Sequence, residues 1–208
     1  MKKKIIIICL LVAVFAVGVY FGATDAYIKY ENTVFEWLNP NNESNGFMKF
    51  MTDVGEASSI IAIIVVLLLI PQTRLTVGLP SGLIALFSRI VNTVIKSLVA
   101  RERPVDKLLV VGEYSFPSGH SMNGAAFYLG LMLLILRICK TKQEKTFVCV
   151  LLIFITFTIG VSRLYFKVHY ISDVLSGWSL GIVIAILGNE LYGYILNRSK
   201  NGTGKIEV

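Results

Sequence analysis

A chain of 208 residues that is 55% hydrophobic and 16% charged, with a mean hydropathy of +0.70, is not an ordinary soluble domain. Apolar runs long enough to cross a bilayer, for which a helix needs roughly 20 residues, recur along it. The net charge of +7 is spread over the segments between those runs, with no aromatic-basic platform, which argues against a nucleic-acid partner.

The expected architecture is all-α: one integral-membrane domain, residues 1–208, forming a bundle of six transmembrane helices. Lys2, Lys3 and Lys4 precede an apolar stretch at 5–22 that is longer than the core of a secretory signal. We read it as an uncleaved first span whose start is held in the cytoplasm by the lysines. Gly18 and Gly22 suit close packing inside the monomer. Residues 23–55 form an outer loop. In it Tyr27, Tyr30, Val34, Trp37 and Leu38 recur at helical spacing, which predicts a short interfacial helix. A run of turn formers at 39–46 breaks it, and Phe47, Phe50 and Met51 would anchor a second interfacial piece. This loop serves as a membrane anchor or as a lid over substrate, and the anchor is the simpler reading.

A second span is expected over 57–70, ended by Pro71. The third, 77–99, carries Arg89, Asn92 and Lys96, and polar groups in a span normally face a protein interior or an aqueous cavity. Arg89, Lys96 and Arg103 would share one face if the helix continued. Arg89, the deepest, reads as a structural ion-pair partner. A fourth span over 121–136 leads to Arg137, Lys140, Lys142 and Lys145, a basic loop that marks the cytoplasmic side. The fifth span covers 147–160. The sixth, 171–196, contains Gly177 and Gly181, which suit internal packing and a dimer alike, so the oligomeric state stays open. It ends at Arg198, Lys200 and Lys205. Both termini are then cytoplasmic. Cys9, Cys139 and Cys149 lie in or beside apolar runs, far apart and odd in number, so no disulfide framework or zinc site is expected.

This topology brings Lys96, Arg103, His120, Arg163, His169 and Asp173 to the outer ends of helices. Ser118 is a plausible helix cap, and the free N–H groups of the turn it opens attract an anion. Gly119 lets that backbone approach a ligand closely. Lys96, Arg103 and Arg163 add three cations suited to a phosphate and to the charge that spreads during its transfer. His169, oriented by Asp173 one turn on, is a candidate nucleophile, and His120 a candidate acid for the leaving alkoxide and base for water. No metal or other cofactor is called for, and Asp173 is the single carboxylate between Lys145 and Asn189.

Three stretches carry a family resemblance. They are Lys96 followed after six residues by Arg103-Pro104, then Pro117-Ser118-Gly119-His120, then Ser162-Arg163 with His169 and Asp173 behind it. Together, and in this order, they resemble the three-part signature of the type 2 phosphatidic acid phosphatases, relatives of the vanadium-dependent haloperoxidases. The resemblance covers 96–173 and implies a metal-independent, six-helix membrane phosphatase with a phosphohistidine intermediate. It implies phosphate binding by Lys96, Arg103, Ser118, Gly119 and Arg163, with His169 as nucleophile, His120 as acid and Asp173 as orienting partner. Small bacterial members act on phosphatidylglycerol phosphate, undecaprenyl pyrophosphate, phosphatidic acid or diacylglycerol pyrophosphate. The expected setting is therefore a bacterial plasma membrane, with the site facing outside and a lipid phosphate of the bilayer as substrate. Two other readings are a phosphatase or haloperoxidase acting on soluble compounds, and a lipid carrier or flippase coupled through Arg89 and Glu190. Neither accounts for both the spans and the three-part site.

Overall fold

The computed structural model describes residues 2–24 and 28–203, with side chains over 2–24 and 31–198. The side chains of Tyr27, Tyr30, Lys200 and Lys205 lie outside these. Among the described residues every regular element is helical. The helices are α1 (Lys2–Thr24), α2 (Ile28–Leu38), α3 (Gly46–Val54), α4 (Ala57–Leu69), α5 (Leu79–Val99), α6 (Gly119–Gly124), α7 (Gly130–Ile135), α8 (Lys142–Tyr165) and α9 (Ile171–Thr203).

Four stretches are long and apolar enough to cross a membrane: Lys2–Thr24, Arg74–Val99, Lys142–Tyr165 and Ile171–Arg198. A fifth is counted if α3 and α4, bent by 57° at their junction, act as one broken span. The expected crossing over 121–136 is helical as far as Ile135 but interrupted, because a π-helical turn at Ala125–Leu129 separates α6 from α7.

Local chemistry sets several of the boundaries. Pro71 follows α4 and, lacking an N–H, cannot extend it. Thr73 Oγ1 and Arg74 Nε then donate to the carbonyls of Leu67 and Leu68, at 2.8 and 3.1 Å. A capping box starts α8: Thr141 accepts from the Glu144 N–H, and the Glu144 carboxylate accepts from the Thr141 N–H. Asn45 caps α3 by accepting from the Met48 N–H at 3.1 Å.

The longest helix, α9, packs against α1, α5, α6, α7 and α8. Small residues make this possible. A Cβ on Gly181 would stand 2.4 Å from the Met122 carbonyl oxygen, and one on Gly18 would collide with Ser176. Gly177 and Gly181 are thus spent on packing within the chain. Below the site, Ile60, Phe127, Tyr128, Leu134 and Ile159 form a continuous buried core. On the flank of α5, Leu83, Leu86, Phe87, Ile90 and Val94 are each more than half exposed, a lipid-facing pattern.

A separate group of charges lies at the end away from Asp173. Lys4 pairs with Glu190, tying the start of α1 to the far end of α9. Arg137 beside them donates from Nε to Asn189 Oδ1 at 3.0 Å. At the other end, α2 and α3 are two short helices between α1 and α4, and Trp37, Phe47 and Phe50 are exposed. Met51 differs from expectation. It is 3% exposed and belongs to the core, because α3 turns that face toward α8.

Candidate active site

His169 sits in the short link between α8 and α9, and Asp173 in the first turn of α9. Both are buried, at 2% and 0% exposure. One oxygen of Asp173 accepts the Tyr170 N–H at 2.9 Å, and the other accepts from the Arg101 guanidinium at 2.8 Å. His169 Nδ1 stands 3.5 Å from Asp173 Oδ2, an ion-pair distance rather than a hydrogen bond. His169 Nε2 lies 3.1 Å from Arg103. A guanidinium only donates, so Nε2 carries the lone pair and Nδ1 the hydrogen, facing the carboxylate. Burial, reinforced by the charges of Arg103, Arg163 and Lys96, pushes the His169 imidazole well below its ordinary value. The ring is neutral, with its free electron pair turned toward the cations.

Lys96, in the last turn of α5, donates to the carbonyls of Tyr114 and Ser115 at 2.9 and 3.2 Å. The helix stops at Val99 and Ala100 takes a left-handed conformation, φ 48°, so Arg103 does not continue the face shared by Arg89 and Lys96. Arg103 is steered by the loop instead. Its Nε donates to Gly112 O and its NH1 to Val168 O, each at 2.6 Å, which aims the guanidinium at His169. Arg163, in the last turn of α8, is 2% exposed and donates to Thr52 Oγ1 at 2.5 Å. Thr52 Oγ1 is also 2.9 Å from Ser162 Oγ.

Ser118 caps α6, with its hydroxyl 2.9 Å from that of Ser121, and its N–H donates to Asp173 O at 3.1 Å. That last bond docks the start of α6 on the start of α9. A Cβ on Gly119 would stand 3.2 Å from Asn92 Oδ1, so the glycine keeps this seam closed. His120 Nε2 lies 3.1 Å from Glu56 Oε1. Through this bond first of all, Glu56 is held down to about 2, so it is ionised and accepts. The hydrogen is then on Nε2, and burial pushes the His120 imidazole below its ordinary value, with the Glu56 carboxylate opposing that shift.

All eight residues expected at the site therefore meet at one end of the bundle, around the junction of α5, α6, α8 and α9. Sequence reasoning missed four neighbours. Arg101 is buried between Glu31 and Asp173, with contacts of 2.6 and 2.8 Å, and stacks over the Tyr170 ring at 4.1 Å. Glu31 also accepts the Ser172 N–H at 3.0 Å. Glu56 holds His120, and Thr52 holds Arg163. The position of Arg101, two residues before Arg103, was the one available signal. Glu31, Thr52 and Glu56 come from the segment between α1 and α4, which thus supplies side chains to the site.

The sequence profile of the PAP2 superfamily matches residues 77–196, which include every one of the eight. The chain belongs to the PAP2 superfamily. Among relatives in that superfamily, phosphatidylglycerophosphatase B of Bacillus subtilis is 38% identical over 101 residues, 48% of this chain and 50% of that protein. The undecaprenyl-diphosphatase of Sulfolobus acidocaldarius is 25% identical over 194 residues, 89% of each chain. The crystal structure of a transmembrane PAP2 type phosphatidylglycerolphosphate phosphatase from Bacillus subtilis superposes with a TM-score of 0.81 at 26% identity. It covers 90% of this chain and 96% of that one. Aquifex aeolicus LpxE shares the PAP2 fold at a TM-score of 0.59 and 20% identity, over 76% of this chain and 93% of that one.

Proposed function

We propose that this chain, as a single membrane domain, is a lipid phosphatase: it removes the terminal phosphate from a membrane lipid phosphate or pyrophosphate through a phosphohistidine intermediate. The observation that carries the reading is the His169 lone pair on Nε2, held neutral by burial and facing Arg103 at 3.1 Å. The phosphate is held by Lys96, Arg103, Arg163 and the start of α6 at Ser118 and Gly119. On binding, Arg103 passes its hydrogen bond from the imidazole to a phosphate oxygen. His169 Nε2 then attacks phosphorus, the bond from phosphorus to the lipid oxygen breaks, and protonated His120 gives its proton to that oxygen. The positive charge gained by His169 is balanced by Asp173. In the second half, His120 takes a proton from water as the water attacks phosphorus, the P–N bond breaks, and inorganic phosphate leaves. The arginines and the lysine supply the electrophilic stabilisation, so the cycle runs without a metal.

The substrate class is supported by the activities for which the relatives are named, with phosphatidylglycerol phosphate and undecaprenyl pyrophosphate as the leading candidates and phosphatidic acid as a third. Six crossings are supported by the site itself, which needs α5, α6, α8 and α9 to run alternately toward and away from one membrane face. The stretch from α6 to α7 then serves as a crossing. Lys2, Lys3, Lys4, Arg137, Lys140 and Lys142 fall at the opposite end, which supports a cytoplasmic position for that end and an outward-facing site.

The test uses purified protein in detergent with a chelator present. Phosphate should be released from a lipid phosphate, and His169→Ala should abolish release while the protein remains folded. Full turnover by that variant would remove His169 as nucleophile. Loss of wild-type turnover on chelation would remove the metal-free cycle.

A further inference from the structure

Arg89 does not fill the role expected of it from sequence. Among the described residues it forms no ion pair, although it lies ten residues before the end of a membrane-crossing helix. A cation in that position is costly to keep in lipid and commonly faces a polar cavity. Such a cavity is present. A space of about 370 Å³ opens between α4 and α5, lined by Glu56, Ile60, Ile64, Ala85, Arg89 and His120 among others. Arg89 is the single arginine or lysine among the described residues that line it. The space therefore joins the proton-carrying histidine at its upper end to an unpaired guanidinium lower down, with apolar α4 residues along its wall.

The depth of Arg89 can be placed. Asn92 marks the level of the phosphate-binding helix start, because its Nδ2 donates to Pro117 O at 3.4 Å and its Oδ1 borders Gly119. Arg89 precedes Asn92 by three residues, about 4.5 Å along the axis, and precedes Lys96 by about 10 Å. A lipid whose terminal phosphate sits among Lys96, Arg103 and Arg163 must send its remainder past Arg89 to reach the bilayer through this opening. Beside it, Ser88 Oγ donates to Asn123 Oδ1 at 2.8 Å, which closes the seam between α5 and α6 and leaves the α4 side open.

We infer that Arg89 is a specificity residue: it binds a second phosphate lying on the lipid side of the one that is cleaved. The inference rests on the phosphatase reading above and deepens it. Two lipid chemistries carry such a group. In a prenyl diphosphate it is bonded directly to the scissile phosphate; in a phosphatidylglycerol phosphate it is a phosphodiester spaced by glycerol. Phosphatidic acid carries none. A planar guanidinium takes two oxygens of a phosphate at once, whereas an amide cannot supply the charge.

The experiment compares wild type, Arg89→Gln and Arg89→Lys on a prenyl diphosphate, phosphatidylglycerol phosphate and phosphatidic acid in mixed micelles. In Arg89→Gln the ratio of kcat/KM for a two-phosphate lipid to that for phosphatidic acid should fall about ten- to a hundredfold, through KM. Arg89→Lys should recover part of the loss. A fall confined to the diphosphate assigns the subsite to a directly bonded phosphate, and one confined to phosphatidylglycerol phosphate assigns it to the diester. An unchanged ratio in Arg89→Gln overturns the inference, as does an equal loss on all three lipids. Thermal unfolding of the variants in detergent identifies a loss of that second kind that is due to folding. A wild type that releases phosphate from none of the lipids overturns the phosphatase reading itself, a result distinct from an active wild type indifferent to Arg89.

Discussion

In the proposed cycle His169 must be both buried and a base, and its neighbours reconcile the two demands. Full burial and three cations hold its imidazole well below the ordinary value, which keeps it unprotonated for the proposed nucleophilic attack near neutrality. The same shift couples folding to pH. The unfolded imidazole titrates near 6.5, and the folded one only at markedly lower pH. As pH falls below about 6.5, the unfolded state takes up a proton that the folded state refuses. The stability contributed by neutral His169 is thus complete above that value and declines toward acid. Between pH 7.5 and 5.5, wild type should lose about 1 kcal/mol relative to a His169→Gln variant. Thermal unfolding of the two proteins in the same detergent at both pH values measures this, and a pH-independent difference between them would contradict it. Asp173 is constrained in a comparable way. It serves Tyr170 and Arg101 directly, and Arg101 is shared with Glu31, so the carboxylate facing His169 is fixed from several sides.

Helix ends explain how much of this was legible. Lys96, Arg163 and Asp173 lie in the last or first turns of α5, α8 and α9, and Ser118 caps α6. Each therefore belongs to a local pattern of fixed spacing, which a sequence displays. Arg103 reaches the site by another route than the one expected. A left-handed Ala100 ends α5, and loop carbonyls then aim the side chain, which no helical periodicity could foretell. Glu31, Thr52 and Glu56 were not legible, because they reach the site only through tertiary contacts with partners 64 to 141 positions away. The element that sets the spacing between these groups is the glycine seam of α9. A Cβ on Gly181 would stand 2.4 Å from Met122 O and 2.8 Å from Ala125 Cβ, both fixed groups of the neighbouring helix. Gly181→Val should push α9 away from α6 and stretch the bond between the Ser118 N–H and Asp173 O. We expect a loss of about 1–3 kcal/mol in stability. Phosphate release should fall roughly a hundredfold if the two halves of the site part by about 1 Å. Thermal unfolding and turnover on the same preparation test both. A variant as stable and active as wild type would show that the seam does not set the site.

Across the whole molecule, the basic links at the ends of α1, α8 and α9 lie opposite the candidate site. The site gathers the outer loop and the ends of α5, α6, α8 and α9, while the start of α1, the link before α8 and the far end of α9 carry Lys2 to Lys4, Arg137, Lys140, Lys142 and Arg198. Only the basic links constrain orientation, since carboxylates contribute little to it. An exposed residue in each region can report the result. Lys107 lies in the loop between α5 and α6 on the site end, and Lys142 opens α8 at the other, and both are exposed. In a chain whose Cys9, Cys139 and Cys149 are replaced by serine or alanine, Lys107→Cys should react with a membrane-impermeant maleimide in intact cells. Lys142→Cys should react only after the membrane is permeabilised. The opposite pattern would invert the orientation, and labelling of both positions in intact cells would break the crossing between them. Because that crossing includes the π turn between α6 and α7, the same pair of labels also decides whether this short, interrupted stretch spans the bilayer. Its helices pack against α5, α8 and α9, so protein rather than lipid surrounds much of the irregular turn. Irregular backbone is tolerated at membrane depth under that condition.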